Sequence, residues 1–254
     1  MKAQLPNFFS INQAKDLVRV GRDYDGGYLV SQSDIGASDL LIGLGINDDW
    51  SFEEDFLSRN KVSVFAYDAS VGEKHFFRQL IKSAFSIYNL KIFVHWLKVY
   101  IKYKKFFSQS NVHHIQKFVG LNSESKQHCT FMDVLKQTEC KNIFLKIDIE
   151  VSEYRFLHDI VANEERISGM VIEFHYVDIH LKEIEKFINQ FSLNLVHVHA
   201  NNYGTIRADD DLPETLELTF SKYAELSNCH TLPHNKDMPN DKKTAEIELF
   251  INDC

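Results

Sequence analysis

The acidic and imidazole side chains of this 254-residue sequence gather directly behind apolar runs. Lys146, Asp148, Glu150 and Glu153 fall within "KNIFLKIDIEVSEYRFL". Asp68 closes "VSVFAYDAS", Glu173 and His175 sit in "GMVIEFHYV", and His197 and His199 sit in "LNLVHVHAN". An imidazole titrates near neutral pH, so His175 and His199 are candidate general bases. Glu173 could orient one of them or accept the proton itself. Two imidazoles with two carboxylates, Asp148 among them, can also ligate a divalent ion. No tight ligand spacing such as HxxxH occurs, so direct acid–base chemistry is favoured and a metal stays open as the alternative. Each residue alone has a plainer reading. An acid at a strand end can cap the next helix, and Glu153 suits a helix N-terminus. The convergence of several strand ends on one rim is what points to a site.

The elements that would build this rim are apolar strands alternating with helices. "DLLIGLGI" (Asp39–Ile46), Val62–Ser70, His113–Asn122, "NIFLKIDIE" and Gly169–Val177 read as strands. Helices are expected over Trp50–Asn60, Thr130–Gln137 with Thr130 as cap, "SEYRFLHDIVAN" and His180–Phe191. Leu193–Asn201, Leu216–Lys222 and Ala245–Ile251 look like late strands without long helices between them. Strand–helix alternation implies parallel strands with right-handed crossovers, and the late strands suggest an antiparallel edge. Ligands of such sheets bind outside the carboxyl ends of the strands. "RVGRDYDGGYLV" (Arg19–Val30) reads as a hairpin turning at Asp25-Gly26-Gly27, or as a flap carrying Arg19 or Arg22 over a ligand. Asn201-Asn202-Tyr203-Gly204 is either a turn or a sugar-binding loop.

The length suits one domain over residues 1–254. A stretch at about 73–110 breaks the alternation. It is rich in aromatic and lysine residues and reads as two inserted helices, parting near Tyr88–Asn89. It has three readings: helical packing, a dimer surface or lid, and peripheral contact with a membrane. The net charge of −8 argues against nucleic acid as main partner. Cys129, Cys140, Cys229 and Cys254 lack CxxC spacing and fit reduced thiols. No signal-like or spanning apolar run is present, so a cytoplasmic protein is expected.

In "GLGINDDW", Gly43 and Gly45 permit a tight turn and close approach of a ligand. The full GxGxxG and the GKS/GKT signature are both missing. Asp68, about twenty positions on, suits a ribose diol, since a carboxylate accepts from both hydroxyls. This pattern fits an adenosine ligand without a pyrophosphate, such as S-adenosylmethionine.

"FLKIDIEVSEYRFL" resembles the strand-four signature of FkbM-type S-adenosylmethionine-dependent methyltransferases, and "VIEFH" resembles their strand-five segment. "RVGRDYDGGYLV", "LLIGLGINDDWSFEEDF" and "LPHNKDMPNDKKTAEIEL" are similar to a bacterial branch associated with surface-polysaccharide biosynthesis. The resemblance covers most of the chain outside Glu73–Gln109. It implies a class I methyltransferase fold: Rossmann-like α/β, with a mostly parallel sheet, an antiparallel edge and a helical insertion. It implies methyl transfer to a sugar, nucleotide-sugar or glycan hydroxyl, with Gly43, Gly45, Asp68 and Asp148 toward the cofactor. Val151 stands where that family usually has Gly. Valine disfavours positive φ, so the local turn is expected to differ there or never to need positive φ, and this departure favours a non-catalytic relative.

Overall fold

The computed structural model describes residues 1–85, 90–121, 125–227 and 231–251. Strand β1 (Lys2–Leu5) precedes a hairpin of β2 (Leu17–Val20) and β3 (Tyr28–Ser31). Helix α1 (Gln32–Ala37) leads to β4 (Leu40–Leu44), α2 (Ser51–Arg59) and β5 (Ser63–Tyr67). Helices α3 (Glu73–Ala84) and α4 (Leu90–Phe107) then reach β6 (Val112–Ile115). The short β7 (Phe118–Val119), β8 (His128–Cys129) and α5 (Phe131–Leu135) come before β9 (Ile143–Ile147). A 3-10 turn at Ser152–Arg155 and α6 (Leu157–Ala162) return the chain to β10 (Ile167–Phe174). The last elements are α7 (Val177–Gln190), β11 (Asn194–Ala200), β12 (Leu216–Ser221) and β13 (Glu248–Ile251).

Among the described residues, seven strands form the central sheet in the order β11-β12-β10-β9-β4-β5-β6. β6, β5, β4, β9 and β10 run parallel, and β12 is antiparallel to both its neighbours. This is the expected α/β class, with a mostly parallel sheet and an antiparallel edge. The chain leaves β4 toward β5 on one side and later returns to β9 on the other. The switch point therefore lies between β4 and β9, where the adjoining strand ends open a crevice.

The side-chain alternation of a strand explains the two layers. Ile143, Leu145 and Ile147 face one core with Ile42, Leu44, Ile172, Phe131 and Ile160. Phe144 faces the other with Leu41, Val64, Phe52, Phe56 and Phe76. Burial on both faces is why these strands read as continuous apolar runs. Helix α5 starts on a full capping box: Thr130 Oγ1 accepts from Asp133 N, and Asp133 accepts from Thr130 N.

Several expectations change. The strand expected over His113–Asn122 splits: β6 joins the central sheet, whereas β7 pairs with β8, and Asn122 lies outside the described residues. The helix expected over 152–163 is a 3-10 turn followed by α6. β13 does not join the central sheet; it pairs in parallel with β1. The parting expected at Tyr88–Asn89 also lies outside the described residues. Residues 73–107 hold eight Lys or Arg and one Glu, a net +7, which leaves −15 on the rest of a chain of total −8.

Candidate active site

Three strand-end turns interlock at the switch point. Gly45 follows β4 at φ +80°, and a Cβ there would lie 1.8 Å from the Asp148 carbonyl oxygen. Only glycine fits this left-handed, close-packed position. Gly45 N donates to Tyr67 O at 2.9 Å, and Asp148 N donates to Leu44 O at 3.0 Å. Asp68 pins the same turn: its Oδ2 accepts from Ile46 N (3.2 Å) and Asn47 N (2.9 Å), and its Oδ1 from Ser70 N (2.7 Å). After β9 the chain takes two consecutive left-handed residues, Glu150 at φ 51° and Val151 at φ 74°. The expectation that Val151 would avoid positive φ is overturned. The turn keeps the geometry a glycine would take, at a conformational cost of about 1–2 kcal/mol for a residue with a Cβ.

These turns wall a cleft of about 680 Å³, within the roughly 300–1,000 Å³ usual for small-molecule sites. Asp68, Gly45, Asp148, Glu173 and His175 all line it, together with Arg22, Asp25 and Gly26 of the hairpin tip, Phe118, Asn201 and Tyr203. Nine of its lining residues are Asp or Glu, against Arg22, Lys117, Lys146 and His175. Such a surface favours a cationic ligand.

At its centre, Glu173 is 6% exposed. Asn201 Nδ2 donates to Glu173 Oε1 at 3.1 Å. The Tyr28 hydroxyl lies 3.2 Å from Asp148 Oδ2 and 3.3 Å from Glu173 Oε2, and can donate to one of them at a time. Burial, reinforced by the Asp148 charge, pushes Glu173 up to about 7. His175 Nδ1 lies 3.2 Å from Glu153 Oε1, which also accepts from His175 N at 3.0 Å. His175 Nε2 faces Glu173 Oε1 (3.4 Å), Glu150 Oε2 (3.6 Å) and Asp148 Oδ1 (4.0 Å). Burial disfavours the charged ring, but hydrogen bonds to Glu153 and Glu173 outweigh it and raise His175 to about 11. At neutral pH this ring is an imidazolium, so in this arrangement it holds a proton and does not accept one.

Two residues expected at the site lie off the cleft. His199 is 4% exposed, with Nδ1 3.0 Å from Glu217 Oε2 and Nε2 3.1 Å from Glu246 Oε1. The reason is topological: β12 inserts between β10 and β11, and its Glu217 pairs with Glu173 on one side and His199 on the other, so it stands between them. Gly43 admits no ligand. A Cβ there would lie 2.4 Å from Glu53 Oε1, so the glycine makes room for that carboxylate.

Glu53 was not singled out in the sequence. It is 1% exposed, lines the cleft, and its Oε1 has no hydrogen-bond partner. Burial pushes it up to about 7, against the pull of Lys146. Lys146 Nζ donates to Gly45 O at 2.6 Å and lies 3.5 Å from Asp148 Oδ2. The signal for Glu53 was a bare glycine inside an apolar strand, which leaves a notch that some other side chain must fill. Tyr28 was hidden in the hairpin's apolar strand, and Phe118, 43% exposed, in a segment read as strand. The hairpin reading of Arg19–Val30 holds, with Asp25-Gly26-Gly27 at its turn, and Arg22 lines the cleft while pairing with Asp49 at 3.0 Å.

No family model matches the chain, and no curated protein does. Part of the fold overlaps solved structures. One is precorrin-6y C5,15-methyltransferase of Geobacter metallireducens, at 13% identity, over 75% of this chain and 84% of that one, with TM-score 0.40. A Streptococcus mutans protein described as a methyltransferase in complex with SAH is 10% identical, over 74% and 93%, with TM-score 0.37. Human methyltransferase 10 domain containing protein is 11% identical, over 75% of each chain, with TM-score 0.40. Overlaps this partial carry no weight for activity or ligand, which rest on the cleft.

Proposed function

We propose that this chain is an S-adenosylmethionine-dependent O-methyltransferase acting on a hydroxyl of a sugar, nucleotide sugar or surface glycan. The observation that carries the reading is the cleft at the switch point, where an excess of carboxylates surrounds a glycine turn. A sulfonium cofactor is a cation with an adenosine and no pyrophosphate, and this surface suits it. Asp68 borders the turn, and a ribose diol would take the place of the Ser70 hydroxyl, which donates to its Oδ1. Phe118 offers an exposed ring for the adenine. Asp148 supplies negative charge toward the sulfonium or amino group. The acceptor class rests on the polar side of the cleft, Asn201, Tyr203 and Thr215, and on the FkbM-type resemblance of the strand-four segment.

In the reaction, the acceptor oxygen forms a bond to the methyl carbon as the sulfur–carbon bond breaks, and S-adenosylhomocysteine leaves. The hydroxyl proton passes to a base. Glu173, poised near neutrality, is that base. His175 orients Glu173 and carries the compensating positive charge. Val151 no longer favours a non-catalytic reading, because it adopts the turn that a glycine would.

The test is transfer of label from methyl-tritiated S-adenosylmethionine to a panel of free sugars, nucleotide sugars and glycans. Transfer whose rate rises with pH through about 7, as Glu173 ionises, supports the reading. Label transfer to amines alone, or none to any hydroxyl in the panel, counts against it.

A further inference from the structure

We propose that Asp148, Glu173 and His175 form a site for a first-row divalent metal ion, with Glu153 orienting the histidine. One donor atom from each of the three residues can be chosen so that all lie within 4.8 Å of one another. Ligands about 2.1 Å from a six-coordinate ion lie about 3 Å apart when adjacent and about 4.2 Å apart when opposed. The distances from His175 Nε2 to Glu173 Oε1 (3.4 Å) and Asp148 Oδ1 (4.0 Å) fall within that interval. Glu153 is fully buried and takes both the backbone N–H and Nδ1 of His175. This fixes the ring and leaves Nε2 directed at carboxylate oxygens. A carboxylate behind the non-ligating nitrogen is the usual companion of a metal-bound histidine. The cleft leaves open positions beside the three donors. One nitrogen with two carboxylates suits manganese, cobalt or zinc better than magnesium, which prefers an all-oxygen shell. The ion takes the place of the Nε2 proton that His175 carries in the metal-free arrangement, so binding releases a proton, and Glu173 then serves as ligand instead of base; the inference stands whether or not the reaction is methyl transfer.

The test is manganese binding to the full chain without nucleotide, monitored by electron paramagnetic resonance. The expected result is one bound ion per chain with a nitrogen-14 coupling from one imidazole. Asp148→Asn, at a partly exposed position, abolishes that binding, and Glu153→Gln weakens it about 10–100-fold. His175→Ala removes the nitrogen coupling; thermal unfolding shows whether that variant is folded, and Asp148→Asn decides the matter if it is not. Absence of binding at millimolar manganese, binding without nitrogen coupling, or unchanged binding in Asp148→Asn overturns the site.

We infer, from a separate observation, that the α3–α4 face rests on an anionic membrane surface. Phe77, Ile81, Phe85, Leu90, Val94 and Ile101 are large apolar residues exposed there. They lie in the stretch that carries +7 in a chain whose remainder carries −15. Exposed apolar side chains among lysines match a lipid interface with negative head groups, and the acidic remainder is repelled from it. Among the described residues no helix is long and apolar enough to cross a membrane, so the contact lies on the surface.

Co-sedimentation with phosphatidylcholine vesicles, with and without 30% phosphatidylglycerol, tests it. Binding only to the anionic vesicles is expected. Reversing Lys98→Glu and Lys102→Glu together weakens it at least about thirty-fold, from roughly a fivefold contribution per basic residue. No binding, equal binding to neutral vesicles, an indifferent double variant, or a dimer that covers this face overturns it.

Discussion

Glu53→Gln is the most informative single perturbation. Glu53 is buried beneath the cleft, with its Oε1 against Gly43 and no hydrogen-bond partner on that oxygen. Its carboxyl is held at about 7 against an ordinary 4.5, so it is still protonated in the folded chain at a pH where it is ionised in the unfolded one. Between these values the folded state binds more protons, and stability falls as pH rises. The resulting penalty on the folded chain is about 1 kcal/mol at pH 5 and about 3 kcal/mol at pH 8. Glutamine keeps the shape and cannot ionise. Urea denaturation of both proteins at the two pH values isolates the effect, because the other titrating groups are common to both. Relative to wild type, Glu53→Gln should gain about 2 kcal/mol in going from pH 5 to pH 8. Stabilities that run parallel across that range would refute the claim that a carboxylate is held protonated there.

Other outcomes rest on the same geometry. Asp68→Ala should weaken S-adenosylhomocysteine binding about 10–150-fold by calorimetry, the loss expected for a hydrogen bond to a charged group; unchanged affinity would place the ribose elsewhere. Val151→Gly should raise stability by about 0.5–1 kcal/mol in urea denaturation, since release of the left-handed strain exceeds the added chain entropy; a loss of stability would show that the valine side chain outweighs its backbone. Glu173→Gln should lower turnover about 10²–10⁴-fold while S-adenosylhomocysteine affinity changes little; near-normal turnover would remove Glu173 as the base.

Much of the frame was legible because local chemistry decided it. The apolar runs around Leu41 and Leu145 are strands buried on both faces. Thr130 caps its helix through Asp133, and Asp25-Gly26-Gly27 turns a hairpin. Asp68, Asp148, Glu173 and His175 meet because strand ends of a parallel sheet share one edge. What was not legible depends on neighbours distant in sequence. His199 was expected beside Glu173, but β12 intervenes, and nothing local encodes that insertion. Gly43 looked like a ligand-facing turn, whereas the side chain it accommodates comes from α2. Val151 carries a backbone conformation that its own propensity opposes, held by the turns around it. The protonation of His175 depends on Glu153 and Glu173, twenty-two and two residues away, and appears only once the three are packed together.

The cleft as a cofactor site is tested most directly by calorimetric titration of S-adenosylhomocysteine into the purified protein. Saturable binding of one molecule per chain is the predicted result, with no comparable heat from NAD, whose pyrophosphate would enter a carboxylate-rich surface. An absence of heat with millimolar S-adenosylhomocysteine, together with saturable binding of NAD, would contradict it.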